Sequence, residues 1–212
     1  NTAKVGVPTA YTLPNADGSA NQVLKTDGSG TLSWTANSGG GASSITGLSD
    51  ALVEDNSIYI GNDPSSTTST AEKNVAVGVT ALDAVTTGDN NVAVGGASLT
   101  ANTTGENNVA IGHNSLSANT TGYNNTASGY ETLKANTTGE NNTAYGYISL
   151  SNNTTGIGNT ASGKNSLYAN TTGNSNTASG NESLQSNTTG NYNTATGWGS
   201  LEQNTDGVNN TA

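Results

Sequence analysis

The chain has 212 residues and a net charge of −10, with 15 acidic residues against 5 basic ones, all of them Lys; no basic stripe is available to follow a phosphate backbone, which argues against nucleic-acid binding. Cys is absent, leaving neither a disulfide framework nor a thiolate metal site, and with no apolar run near 18 residues and no basic-then-apolar leader we expect no membrane insertion. Leu, Ile, Val and Phe supply only 31 of the 212 residues, below the roughly 20% at which an aperiodic chain buries enough apolar surface to fold.

Residues 1–36 read as a small N-terminal β-hairpin module. Residues 23–26 and 31–34 alternate apolar and polar side chains, and Asp27-Gly28-Ser29-Gly30 between them has the composition of a turn. Residues 37–73 read as linker and entry strand. Gly39-Gly40-Gly41 marks a flexible stretch, residues 45–53 are predicted to make one or two helical turns, and residues 57–61 a strand that leads into the segment beginning at residue 74. Asn1 is not an initiator Met and Ala212 stops partway into a further repeat, so a piece of a longer polypeptide is expected.

From residue 74 to 212 the chain is periodic. Thr-Thr-Gly ends at Gly88, Gly105, Gly122, Gly139, Gly156, Gly173 and Gly190, and Thr-Asp-Gly at Gly207, a spacing of 17 with no insertion. Such a period is the signature of a stacked repeat architecture, and disordered polar tracts have no physical reason to keep phase. One phase is always Ala, from Ala76 to Ala212, and another always Leu, from Leu82 to Leu201. Helical repeats are excluded by the Gly, Thr-Thr and Asn content of every unit. Val92-Ala93-Val94 and Thr126-Ala127-Ser128 alternate like strands, with Gly and Asn expected to supply left-handed corners. The fold class is therefore all-β, a parallel β-solenoid, or β-roll, of 17-residue coils about 4.8 Å apart.

Inside so narrow a coil there is room for little beyond small side chains, so the Ala and Leu phases are candidates for the interior or for a seam between chains. Asn at 74, 91, 108 and onward to 210 is expected to stack into an amide ladder, as is the second Asn phase from Asn102 to Asn204. That second phase also creates Asn-x-Thr sequons, which we read as dictated by stacking rather than by glycosylation. One Leu and one Ala per 17 residues is little apolar burial against the cost of ordering a coil. Association of several chains around an axis is the expected remedy.

The phrases Asn91-Val92-Ala93-Val94-Gly95 and Asn108-Val109-Ala110-Ile111-Gly112 resemble the head repeats of trimeric autotransporter adhesins, whose shorter units build a β-roll in each of three chains. The unit N-T-A-x-G-x-x-S-L-x-x-N-T-T-G at residues 125–139 and 142–156 is more similar to a repeat of bacteriophage tail fibres, over about two-thirds of the chain. Tyr11-Thr12-Leu13-Pro14 and residues 21–34 also resemble sequence used between modules of such fibres. The resemblance implies a homotrimeric fibre shaft in a virion tail, holding a receptor-binding tip for host attachment, with other virion tail proteins as partners. Two alternatives remain: a bacterial cell-surface adhesin head, and a carbohydrate-binding module.

Catalytic chemistry is not expected. His113 is the single histidine and stands in a variable slot; Asp89, Glu106 and Glu140 recur after Gly on one edge of different coils and read as a solvated stripe. The Gly-Gly-x-Gly-x-Asp signature of calcium-binding rolls is absent, as is any phosphate loop, so no enzyme, metal or cofactor is expected. One slot runs Val79, Gly96, His113, Tyr130, Tyr147, Lys164, Asn181, Trp198. Its variability places it outside, where Tyr130, Tyr147 and Trp198 are candidate contacts for a host surface glycan.

Overall fold

The computed structural model describes residues 14–16, 22–27, 29, 31–36, 51–54, 57–60 and 70–212. The chain divides into two units, Asn1–Gly47 and Leu48–Ala212. Among the described residues there are strands and turns but no helix.

In the first unit β1 (Gln22–Thr26) pairs antiparallel with β2 (Leu32–Ala36), Leu24 standing opposite Trp34. Asp27 organises the connection. Its Oδ1 accepts the backbone N–H groups of Ser29 at 2.8 Å and Thr31 at 3.0 Å, and these donors, Ser29 first, lower its carboxyl from the ordinary 3.8 to about 2. A pKa depressed by folding contributes stability that is present above the unfolded value and lost as pH falls through the folded one. The Ser29 and Thr31 amide resonances are therefore expected to stay unshifted from pH 7 to about 4 and to move as pH falls through about 2. A midpoint near 3.8 would remove Asp27 from this role.

The second unit opens with β3 (Ala51–Glu54), antiparallel to β4 (Ser57–Ile60). The helical turns expected over residues 45–53 are not what residues 51–53 form; they pair as a strand with β4, and residues 45–50 lie outside the described set, as do 37–44 of the expected linker. Each following coil adds one parallel three-residue strand: β5 (Val75–Val77), β6 (Val92–Val94), β7 (Val109–Ile111), β8 (Thr126–Ser128), β9 (Thr143–Tyr145), β10 (Thr160–Ser162), β11 (Thr177–Ser179) and β12 (Thr194–Thr196). The sheet order follows the chain from β3 to β12. Register is fixed at 17, with Ala93 beside Ala110 and Ala110 beside Ala127. The β-solenoid with 17-residue coils is thus as the period predicts.

A coil is tied to both of its neighbours. In residues 123–139, Thr126, Leu133, Ala135 and Thr137 donate backbone N–H bonds to the next coil, while Asn124, Gly129 and Glu131 donate to the previous one, all at 2.8–3.1 Å. Strand alternation sends Ala127 inward and Thr126 and Ser128 outward. The Ala and Leu phases are fully buried within one chain from Ala93 to Ala195 and from Leu82 to Leu184. They form the interior, and of the two sites expected for them a seam between chains is not the one they occupy.

The backbone turns at an unexpected residue. Leu82, Leu99, Leu116, Leu133, Leu150, Leu167, Leu184 and Leu201 all have φ between 49° and 55°, a left-handed conformation that costs an L-residue about 1–2 kcal/mol. Full burial of a Leu side chain returns about 1.5–3 kcal/mol, so placing the bulky residue in the corner is favourable on balance. Gly or Asn there would satisfy the backbone and leave the interior empty.

The corners expected of Gly and Asn occur as well, with φ of 56–58° at Asn90, Asn107, Asn124 and Asn141, and the glycines also permit close approach. From Gly78 to Gly197 the glycine after each strand has φ between 112° and 143°. A methyl group on Gly146 would lie 2.7 Å from the carbonyl oxygen of Gly163 in the next coil. A methyl group on Gly96, outside the left-handed region, would meet the His113 ring at 3.4 Å and the Val79 carbonyl oxygen at 3.9 Å, both ordinary contacts. Gly146→Ala is accordingly expected to cost about 2 kcal/mol or more and Gly96→Ala to leave the melting temperature nearly unchanged. Equal effects in thermal melts would contradict the close-packing account.

Half of the interior is polar and saturated. Asn125 Oδ1 accepts the backbone N–H of Asn142 at 3.0 Å and its Nδ2 at 3.1 Å, while Asn142 Nδ2 also donates to Gly156 O at 2.8 Å. The second ladder joins Asn136 Nδ2 to Asn119 Oδ1 at 2.8 Å and to Gly139 O at 3.0 Å. In the first ladder the oxygen accepts two bonds and the nitrogen donates two; in the second the nitrogen donates two and the oxygen accepts one, so no buried amide atom is left without a partner. The sequons of this second phase are therefore closed: Asn102 through Asn187 are buried with their nitrogens bonded.

One coil end is specialised. Ser57 and Tyr59 of β4 occupy the Asn and Ala phases, Ser57 Oγ accepting from Asn74 N at 2.9 Å and Tyr59 filling the interior beside Ala76. Antiparallel β3 then covers the outer edge of β4, as capping elements of repeat folds do.

Candidate functional site

The variable slot follows the glycine that ends each strand, which turns its side chains out of the corner. The structure brings three rings together there: His113 and Tyr130 stack with centroids 5.7 Å apart, and Tyr130 and Tyr147 at 5.4 Å, each pair within 10° of parallel. Parallel coils force this arrangement, because equivalent positions lie one strand spacing apart. The His113 ring joins the row of expected contacts; nothing in its variable slot signalled that, and only the 17-residue register places it beside Tyr130.

Trp198 is not part of this row. It is 75% exposed and lies three coils beyond Tyr147, roughly 14 Å along the axis. Its Nε1 donates at 2.9 Å to the Asn181 amide, oriented with oxygen toward the indole, and Asn181 donates to Lys164 O at 3.1 Å. Stacking on a sugar needs a free ring face. Both faces of Tyr130 are taken by its neighbours, so it offers an edge, while Tyr147 and Trp198 are the more exposed rings. Beside the row, Lys134 Nζ pairs with Glu131 Oε1 at 3.0 Å. That bond lowers the Glu131 pKa, and the Glu131 charge in turn raises that of the Tyr130 phenol.

The acidic slot is used for coil contacts. Asp89 Oδ1 accepts the backbone N–H of Glu72 at 2.7 Å, and Asn174 and Asn191 cap the equivalent N–H groups of Ile157 and Asn174. A hydrogen bond to Glu140 raises the pKa of Tyr123 between the two glutamates. No cluster of His, Cys, Asp or Glu able to hold a metal ion occurs among the described residues.

The outward face of the sheet carries two straight rows. One is Ile58, Val75, Val92, Val109, then Thr126, Thr143, Thr160, Thr177, Thr194; the other is Ile60, Val77, Val94, Ile111, then Ser128, Tyr145, Ser162, Ser179, Thr196. Four strands of branched aliphatic residues thus give way to hydroxyl-bearing ones at β8.

Among the described residues no helix is long and apolar enough to cross a membrane. Compared with known proteins, the chain matches no protein-family model, and no curated protein or solved structure is significantly similar to it.

Proposed function

We propose that this chain is a structural fibre segment, the shaft of a phage tail fibre that holds a receptor-binding tip away from the particle. The observation that carries the reading is where the unchanging residues are spent. Ala, Leu, both Asn phases and both Gly phases all go into stacking one coil on the next, and the slot that varies most in size and charge, from Val79 to Trp198, faces outward. A chain built this way does mechanical work by being long and regular. The β1–β2 pair is read as a separate module between fibre segments.

Three copies per fibre follow from the resemblance of the repeats to trimeric adhesin heads and tail fibres, and other tail proteins are the expected neighbours. A carbohydrate-binding role draws on the exposed rings of Tyr147 and Trp198, and takes second place because these two are not on one platform. Sequencing outward from the gene segment and labelling particles with an antibody to residues 74–212 tests the primary reading. Labelled virion fibres and an upstream capsid-side attachment domain are expected. A downstream membrane-anchor barrel with label on the bacterial surface would replace it by the adhesin reading.

A further inference from the structure

We infer that copies of this chain meet across the outward face of the solenoid sheet, at the aliphatic block spanning β4 to β7; the inference rests on the homomeric reading and assigns its contact surface. The Leu and Ala phases are enclosed by their own chain, so an interface between chains must draw on other apolar residues. Ile58, Ile60, Val75, Val77, Val92, Val94, Val109 and Ile111 form a contiguous block two residues wide and four strands long. Val94 is 36% and Ile111 44% exposed although neither has a polar atom to present to water. Contiguous apolar surface of this kind on a soluble chain marks an interaction site.

A second copy of the chain is the occupant for two reasons. Neither outward row contains a charged residue from Ile58 to Thr196, in a chain of net charge −10. Two such chains repel wherever acidic residues face each other, and this long face lets them approach without it. The second reason is periodicity. A copy carries the same two rows at the same strand spacing, so its branched side chains interleave with these at every coil, whereas a partner without this repeat falls out of step after one or two strands. β-branched side chains on a flat sheet also lose little rotamer freedom when covered.

The test is sedimentation of the full chain with circular dichroism in parallel. The natural sequence is expected to sediment as an oligomer. Val94→Asp with Ile111→Asp is expected to raise the dissociation constant by about 100-fold or more with the β-sheet signal kept, and Val79→Asp, an exposed apolar residue on another face, to leave it unchanged. Because paired Asp substitutions can also disturb folding, Val94→Thr with Ile111→Thr serves as a second variant: in this row Thr is native at β12 and Ser, which also carries a hydroxyl, at β8, and a weaker but clear rise is expected. An oligomer that withstands both pairs overturns this face and leaves the homomeric reading standing. A folded monomer of natural sequence at micromolar concentration overturns the homomeric reading itself, and this inference with it.

Discussion

Leu133→Asp is expected to abolish the cooperative fold around its coil, while Tyr130→Asp, three residues earlier, lowers the melting temperature by no more than a few degrees. Leu133 is fully buried, and in its left-handed corner its N–H donates to Ser149 O and its carbonyl accepts from Asn136 N, both at 3.1 Å. The substitution removes about 1.5–3 kcal/mol of apolar burial. It also places a carboxylate in an interior whose hydrogen-bond donors are already committed to the two Asn ladders, so the charge finds no partner and the added cost is several kcal/mol. Together these reach the range that only a few mechanisms produce. Tyr130 stacks on two neighbours but sits in solvent; losing both contacts costs on the order of 1–2 kcal/mol. Thermal melts followed by circular dichroism compare the two, and similar midpoints would mean that the interior has been assigned to the wrong phase.

Much of this interior is legible in the sequence because each coil sees the same surroundings. Seventeen-residue identity at Ala127, Leu133, Asn125 and Asn136 predicts that these positions are buried and stacked, and they are. What the sequence does not disclose is how the backbone reaches that state. Leu has no local preference for φ near 50°, and its corner exists only because the stacked coils bury the side chain, the next coil takes up the N–H, and the Asn three residues on takes up the C=O. Local propensity misleads in the same way at residues 51–53: their pattern reads as a helical turn until the exposed edge of β4 offers a partner for antiparallel pairing.

The expectation of association sets the small apolar burial of Leu and Ala beside hydrogen-bond ladders whose contribution the sequence does not size. Asn125, Asn142 and Asn159 each satisfy buried donors and acceptors of the coils on either side, which is cohesion that a tally of Leu and Val cannot register. The candidate contacts were visible as a variable outward slot. That Tyr130 stacks between His113 and Tyr147 while Trp198 stands three coils beyond Tyr147 follows from the register alone.

Removing residues 123–139 is expected to leave a folded solenoid about 4.8 Å shorter, one strand spacing. The deletion joins Gly122 to Glu140, the residue that continues the repeat in phase. Asn142 then stacks on Asn108 as Asn125 does now, Leu150 takes the place of Leu133, and Tyr147 meets His113, so each interior contact is replaced by an equivalent one. Stability falls only by one coil and one interface, as in any linear array of repeats. Removing eight residues, 123–130, leaves nine residues where a full turn needs seventeen. They cannot encircle the interior, and the chain must either extrude them so that the flanking coils meet, at a closure cost of roughly 2 kcal/mol or more, or separate into two stacks. Both outcomes expose residues 131–139 to protease, while the seventeen-residue deletion exposes nothing new. Limited proteolysis read by mass spectrometry is expected to cut the eight-residue variant within that stretch and to spare the seventeen-residue one, whose scattering profile reports the shortened rod. Cleavage of both at the junction would show that the coils are not interchangeable units.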